Sequence, residues 1–249
     1  MRSRQAFPAP ADIRHYLGAW SAVSVMQFFL AEAVAALRWA GPQPYSLTDN
    51  FISDLGAAHC AVHEGRSVCS PLNWLMNASF VLQGLGMLIA AVLITSAVLQ
   101  VAARPAAAFR LDRRPVEALA VRILLGIAGA GLVVVGLVPE DVLAPLHLTG
   151  AGLYFGGGSL ALVVLGAQWR QRAPAGWAVL ALGIVAFVST LIGAITRLHV
   201  PLPGLLERFM AYPITFGIAV MGAVIYAGAR STRAEVRRLR AARPAAGAG

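Results

Sequence analysis

The chain has no lysine and only two cysteines in 249 residues, and just 12% of its residues are charged. A soluble domain carries roughly a quarter charged residues, so an ordinary cytosolic enzyme is excluded. A content of 58% hydrophobic residues excludes disorder and a nucleic-acid-binding domain as well. Two cysteines are too few for a disulfide-dense secreted scaffold. What remains, at a mean hydropathy of +0.71, is a polytopic membrane protein.

The net charge of +9 comes from twenty basic residues, all of them arginine. They sit mainly in short segments between apolar runs, where positive charge sets orientation rather than binding phosphate. Nucleic acid is therefore not an expected partner, and membrane lipid is. Lysine-free, alanine- and arginine-rich usage points to a GC-rich bacterial genome.

Six stretches meet the length of roughly 20 apolar residues that a span needs. They are Leu17 to Leu37, Leu72 to Leu99, Glu117 to Val138, Leu146 to Gln168, Trp177 to Ile195 and Glu207 to Ala229. No alternating barrel pattern appears, so the expected fold is all-α, a six-helix transmembrane bundle. Residues 1–16 form an N-terminal arm, 17–229 the membrane domain and 230–249 a basic tail. The first run is too long for a signal-peptide core and reads as a retained helix.

Orientation follows from the arginines. Arg2, Arg4, Arg14, Arg104, Arg110, Arg113, Arg114, Arg170, Arg172, Arg230, Arg233, Arg237, Arg238, Arg240 and Arg243 fall in one set of segments. Arg38, Arg66, Arg197 and Arg208 fall in the other, and Arg122 can snorkel. Both termini are thus expected in the cytoplasm, and the protein in the cytoplasmic (inner) membrane. Trp20, Trp39, Trp74, Trp169 and Trp177 all fall near span ends, as an aromatic belt would place them.

His59, His63, His147 and His199 then lie on the expected outer side, with Glu32, Asp49, Asp54, Glu64, Glu140, Asp141 and Glu207. Loop 38–71 supplies several of these but not Glu32, Glu140, His147, His199 or Glu207. An outward-facing polar site is expected. The densest stretch runs from Tyr45 to Gly56. Thr48 or Asp49 would cap a short interfacial or re-entrant helix there and Gly56 would end it. Asn50, Ser53, Asp54 and Ala57 would share one face, with Phe51, Leu55 and Ala58 on another. The alternative is an amphipathic connector without chemistry.

Asn73 and Asn77 lie one turn apart at the start of the second span and should face inward. Pro139 ends the third span and sets Glu140 and Asp141 close to His147, an arrangement suited to acid–base work or half a metal site. A capped turn with a structural ion pair is the alternative. In the last span Arg208 and Tyr212 are four residues apart, and Pro213 is expected to kink the helix. Glu32 is an intramembrane carboxylate, a functional hypothesis by default. Cys60 and Cys69 read as a disulfide rather than as zinc ligands. Gly152 and Gly156 make a GxxxG face, suited to a helix-packing partner.

The strings Tyr45-Ser46, Asn50-Phe51-Ile52-Ser53-Asp54-Leu55-Gly56, Cys60 with Cys69-Ser70-Pro71, Asn77, Gly136-Leu137-Val138-Pro139-Glu140, His147, and Glu207-Arg208 with Tyr212-Pro213 carry a resemblance. The chain resembles a family of bacterial and archaeal membrane proteins catalogued as domain of unknown function 998. That resemblance implies a six-helix membrane protein and no agreed activity. A more distant likeness, to the membrane hydrolases that include alkaline ceramidases, would imply zinc held by Ser, Asp and three His. Six spans instead of seven, and no His-x-x-x-His pair in the last span, speak against that metal. No metal or cofactor is expected.

The leading expectation is an outward-facing pocket that binds or processes a lipid or lipid-linked head group. Asp54, Glu140 and His147 are the candidate catalytic residues. Asn50, Ser53, Asn77, Glu207, Arg208 and Tyr212 are the candidate binding residues, with Arg208 holding an anionic group. A non-catalytic assembly or lipid-binding partner is the first alternative. A small-solute transporter is the last, since no broken-helix pair appears. All nine residues are expected to converge on one pocket, with Arg208 paired to Asp54 or Glu140.

Overall fold

The structure, a computed structural model, describes residues 12–95, 98–99, 115–171 and 173–241. Arg2, Arg4, Arg104, Arg110, Arg113, Arg114, Arg172 and Arg243 lie outside the described residues, as do most of the N-terminal arm, the stretch 100–114 and the end of the tail. Six helical stretches are long and apolar enough to cross a membrane. The protein is an all-α, multi-pass membrane protein.

The first span comes in two pieces, α1 (Ile13–Ser24) and α2 (Gln27–Leu37). At the break the N–H groups of Met26, Phe28 and Phe29 donate to carbonyls three residues back, tighter than α-helical bonding. Ser24 also donates its hydroxyl to the Ser21 carbonyl at 2.8 Å, competing with the helical ladder. Five further helices follow: α3 (Asn73–Leu93), α4 (Pro115–Leu137), α5 (Ala144–Trp169), α6 (Pro174–Thr196) and α7 (Pro203–Ala241).

Two of these differ from the apolar runs. The second run predicts helix to Leu99, but α3 stops at Leu93 and Ile94 is extended. Ile94 is buried against Gly18 of α1, where a Cβ would stand 2.7 Å from its side chain. Thr95 meets the His15 ring at 3.2 Å, so tertiary contacts turn the chain across α1. At the other end of the sequence, α7 stays helical through Pro213 and runs well beyond the expected Ala229.

The six spans form a ring. Each packs on its sequence neighbours, and α7 returns to pack on α1. Six spans in up-and-down succession bring the start of α1 and the end of α7 to one end of the bundle. The loop lies at the other, here termed the loop end. Two glycine pairs mark close helix approaches. A Cβ on Gly84 would stand 2.6 Å from the Gly129 carbonyl oxygen, and one on Gly150 would stand 2.7 Å from that of Gly131. Small residues at such crossings let the backbones touch, which is how membrane helices gain packing without a hydrophobic drive.

Gly152 and Gly156 do not take part in this. A Cβ on either would meet nothing within 4 Å. Within the chain, the glycines of α5 that make close contacts are Gly150, Gly157, Gly158 and Gly166 instead.

The loop end is closed by residues 38–72. A two-stranded antiparallel hairpin, β1 (Ala61–His63) and β2 (Arg66–Val68), pairs Ala61 with Val68 and His63 with Arg66. Glu64 and Gly65, both at positive φ, make the two-residue turn. Cys60 and Cys69 are disulfide-bonded across the open end of the hairpin. The stretch from Thr48 is not the α-helix its caps suggest. It holds turns and one 3₁₀ turn, Ser53–Gly56. Phe51 through Ala57 are all buried, so the segment has no solvent face to make it amphipathic. It is seated as a plug among the helix ends.

Candidate functional site

The loop end carries two arginine-centred clusters. The first is built on Arg208 of α7, which is 4% exposed. Nε donates to the Tyr212 hydroxyl at 3.1 Å. Nη1 donates to the carbonyls of Leu47 and Asn50, each at 2.8 Å, and of Gly204 at 3.0 Å. Nη2 donates to Glu32 Oε1 at 2.9 Å and to the Tyr45 hydroxyl at 2.6 Å. A guanidinium has five N–H donors, and here each of its three nitrogens is committed to protein acceptors. Arg208 is thus a fastener between α2, the loop and α7, with no donor left for an anionic ligand. Its counter-charge is Glu32, not the expected Asp54 or Glu140. Glu32 is the acid at the matching depth, and the Tyr212 hydroxyl donates to it as well, at 2.7 Å.

The loop needs close backbone approach to make this cluster. Gly204 lies directly against the Asn50 carbonyl, and any side chain at 204 would collide with it. The Leu205 N–H donates to Thr48 O at 3.0 Å, and the Ile52 N–H to the Glu207 carboxylate. The first turn of α7 therefore spends its orphan N–H on the plug.

The second cluster is built on Arg66 of β2. Its Nη2 stands 3.1 Å from Asp54 Oδ1 and 3.6 Å from Glu140 Oε1. Asp54 is fully buried. Its other oxygen accepts from the Phe51 N–H at 3.0 Å and the Asn50 amide at 3.4 Å. Glu140 Oε1 has no hydrogen-bond partner among the described residues, and His63 Nε2 lies 4.0 Å from it. Burial, and next the charge of Asp54, push the Glu140 carboxyl up to about 8, against the help of the Ser53 hydroxyl. Burial and the Asp54 carboxylate thus favour the protonated form of Glu140.

Asp141, its sequence neighbour, turns elsewhere. It accepts from the N–H groups of Ala58 and His59, each at 2.9 Å, and meets the His59 ring at 2.8 Å. Burial works against its charge, but the Ala58 N–H and the two His59 donors outweigh it and hold its carboxyl below the usual range. His147 bonds neither carboxylate. Its Nδ1 donates to the Val138 carbonyl at 2.8 Å. Asn77 donates to the Gly56 carbonyl at 2.8 Å, tying α3 to the end of the plug.

Asn50, Glu207, Arg208 and Tyr212 thus gather around the first cluster. Asn50, Ser53, Asp54 and Glu140 gather around the second. His147 and Asn77 stand at their edges. A cavity of about 30 Å³ between the clusters is lined by Ser53, His147 and Glu207 and reaches Gln83 and Tyr154. It is large enough for water. Gln83, Tyr154 and Thr215 form a buried network beyond it, with Gln83 donating to Thr215 at 2.8 Å.

The second space is larger. A groove of about 920 Å³ runs along α2 and under residues 39–47, with Glu32, Tyr45 and Tyr212 in its lining. Of these residues, Tyr45 and Glu32 are missing from the sequence-derived binding set, as is Arg66. Glu32 carried the usable signal: a carboxylate inside a span needs a partner, and Arg208 is the only arginine inside the loop-end part of a span.

A family model described as "Protein of unknown function (DUF998)" matches residues 22–224. The chain belongs to that family. Comparison with curated proteins and with solved structures found no match. In this DUF998 chain the matched stretch takes in both arginine clusters, the cavity and the groove.

Proposed function

We propose that this protein binds a membrane amphiphile in the groove at its loop end, and that this end faces away from the cytoplasm. The observation that carries the reading is the make-up of the groove. Phe29, Ala33, Ala36 and Leu37 of α2 give it an apolar wall within a membrane span. Glu32, Tyr45 and Tyr212 give it polar groups at one end. An apolar cleft of several hundred Å³ with a few convergent polar groups is the usual form of a ligand site. An acyl chain suits the wall, and a head group suits the end. The orientation rests on the arginines: at the loop end Arg66 and Arg208 are consumed by internal ion pairs and Arg38 and Arg197 are exposed, while Arg14, Arg170, Arg230, Arg237 and Arg238 are exposed at the other end.

Processing of that amphiphile is the second reading. It is favoured by Glu140, whose carboxyl is pushed by burial and by Asp54 toward the protonated form a general acid needs. Binding is preferred because the cavity beside those residues is water-sized.

Native mass spectrometry of the detergent-purified protein tests the reading. Wild type is expected to retain a lipid that Ala36→Trp, which fills the groove, does not. Absence of retained or re-added lipid from wild type, or equal retention by the variant, overturns it.

A further inference from the structure

The groove is unusual in what its polar end lacks. Among its lining residues Glu32 carries the only formal charge, and it is negative. Four aromatic rings line the same groove, and one of them, Tyr212, hydrogen-bonds that carboxylate. Trp39 and Tyr45 pair at 5.3 Å between ring centroids, and Phe29 and Tyr212 pair at 5.0 Å.

The polar tips of these rings are already spent. Trp39 Nε1 donates to the Gln43 carbonyl at 3.0 Å. The Tyr45 hydroxyl donates to the Phe51 carbonyl at 2.9 Å, and the Tyr212 hydroxyl donates to Glu32. A phosphate or carboxylate head group needs hydrogen-bond donors, and these rings have none free. Arg208, behind Tyr45 at 5.6 Å from its ring centroid, has its N–H groups committed to the protein. Apart from the exposed amide of Gln43 at its rim, what the lining offers is ring surface, negative on its faces, beside a carboxylate whose charge Arg208 balances. Aromatic ring faces hold quaternary ammonium groups, which need no hydrogen bond.

We infer that the head group taken by this groove is a quaternary ammonium, the trimethylammonium end of a choline lipid, with its acyl chain along the α2 wall. This rests on the amphiphile reading and narrows it. The ammonium sits among the rings of Trp39, Tyr45 and Tyr212. The phosphate of such a lipid points out of the groove, toward the exposed amide of Gln43 and the membrane surface.

The test is titration of delipidated protein with phosphatidylcholine, phosphatidylethanolamine and phosphatidylglycerol of identical acyl chains, followed by native mass spectrometry. Phosphatidylcholine is expected to bind about tenfold more tightly than phosphatidylglycerol. Trp39→Ala should abolish that preference. Tyr45→Phe, which keeps the ring and loses the hydroxyl, should preserve it, as should Trp39→Phe in part. Equal or tighter binding of phosphatidylglycerol, still blocked by Ala36→Trp, overturns the ammonium inference and leaves the amphiphile reading standing. Binding of no lipid, or binding indifferent to Ala36→Trp, overturns both. Free choline binding as tightly as the lipid overturns the lipid as its source.

Discussion

Glu32 of α2 and Arg208 of α7 lie 176 residues apart in sequence and pair at 2.9 Å, both almost wholly buried. The pair joins the first span to the last and, through the Leu47 and Asn50 carbonyls, locks the plug onto both. Removing one partner strands the other charge in a dry site. Arg208→Met or Glu32→Gln alone is expected to cost about 3–5 kcal/mol of stability. The double variant, which strands no charge, should cost clearly less than the sum of the two. Thermal unfolding in detergent gives the comparison, and strictly additive losses would show that the two side chains do not act as a pair.

The bundle was largely legible in the sequence and the cluster was not. Apolar length located every span, because a bilayer imposes that length on any helix that crosses it. The break after Ser24 and the early end of α3 escaped, since both are set by contacts from other spans. Arg208 could be read as needing an acid, but seven acids share the loop-end half of the sequence reading, and local spacing cannot rank partners this far apart. The Tyr45–Gly56 stretch misled for a related reason. Its cap signals are real, yet Asp54 spends its carboxylate on the Phe51 N–H and on Arg66 rather than on a helix.

The second cluster predicts a pH dependence. Glu140 has its carboxyl raised from 4.5 to about 8 in the folded protein. Between those values the folded state keeps a proton that the unfolded state has lost. Stability from this group is therefore fully present below the lower value and falls as pH rises toward the upper one. The charged and titratable neighbours are Asp54, Arg66, His63 and Glu207. Glu140→Gln mimics the protonated form, so its melting temperature should change less than wild type's between pH 5 and 8 (roughly the interval between those two values). Parallel melting curves for the two proteins across that interval would refute the assignment.

The disulfide couples compartment to site. Cys60–Cys69 closes the hairpin that carries Arg66 onto Asp54. Opening it is expected to cost about 2–3 kcal/mol by the chain-entropy estimate. Cys60→Ser should also weaken the Arg66 contacts, read as faster hydrogen exchange at the Phe51 amide. In cells the bond needs an oxidising compartment, so a reporter fused after the last residue should be active only in the cytoplasm. A C-terminal reporter active only on the far side of the membrane would reverse the proposed orientation.

The glycines of α3 and α5 separate internal packing from a free surface. A methyl group on Gly84 would stand 2.6 Å from the Gly129 carbonyl oxygen and 2.8 Å from the Val133 side chain. On Gly152 it would meet nothing within 4 Å. Replacing a mid-helix glycine by alanine gains up to about 1 kcal/mol of helix propensity wherever space allows. Gly152→Ala should thus be neutral or slightly stabilising, while Gly84→Ala must push α3 and α4 apart and lower the melting temperature despite the same propensity gain. Bulkier substitutions extend the contrast. Gly84→Leu should prevent the bundle from assembling. Gly152→Leu should leave the monomer folded, and any change in oligomeric state on size-exclusion chromatography would reveal a second copy packed on the Gly152–Gly156 face. Equal destabilisation by the two alanine variants would mean that the α3–α4 crossing is not as close as described.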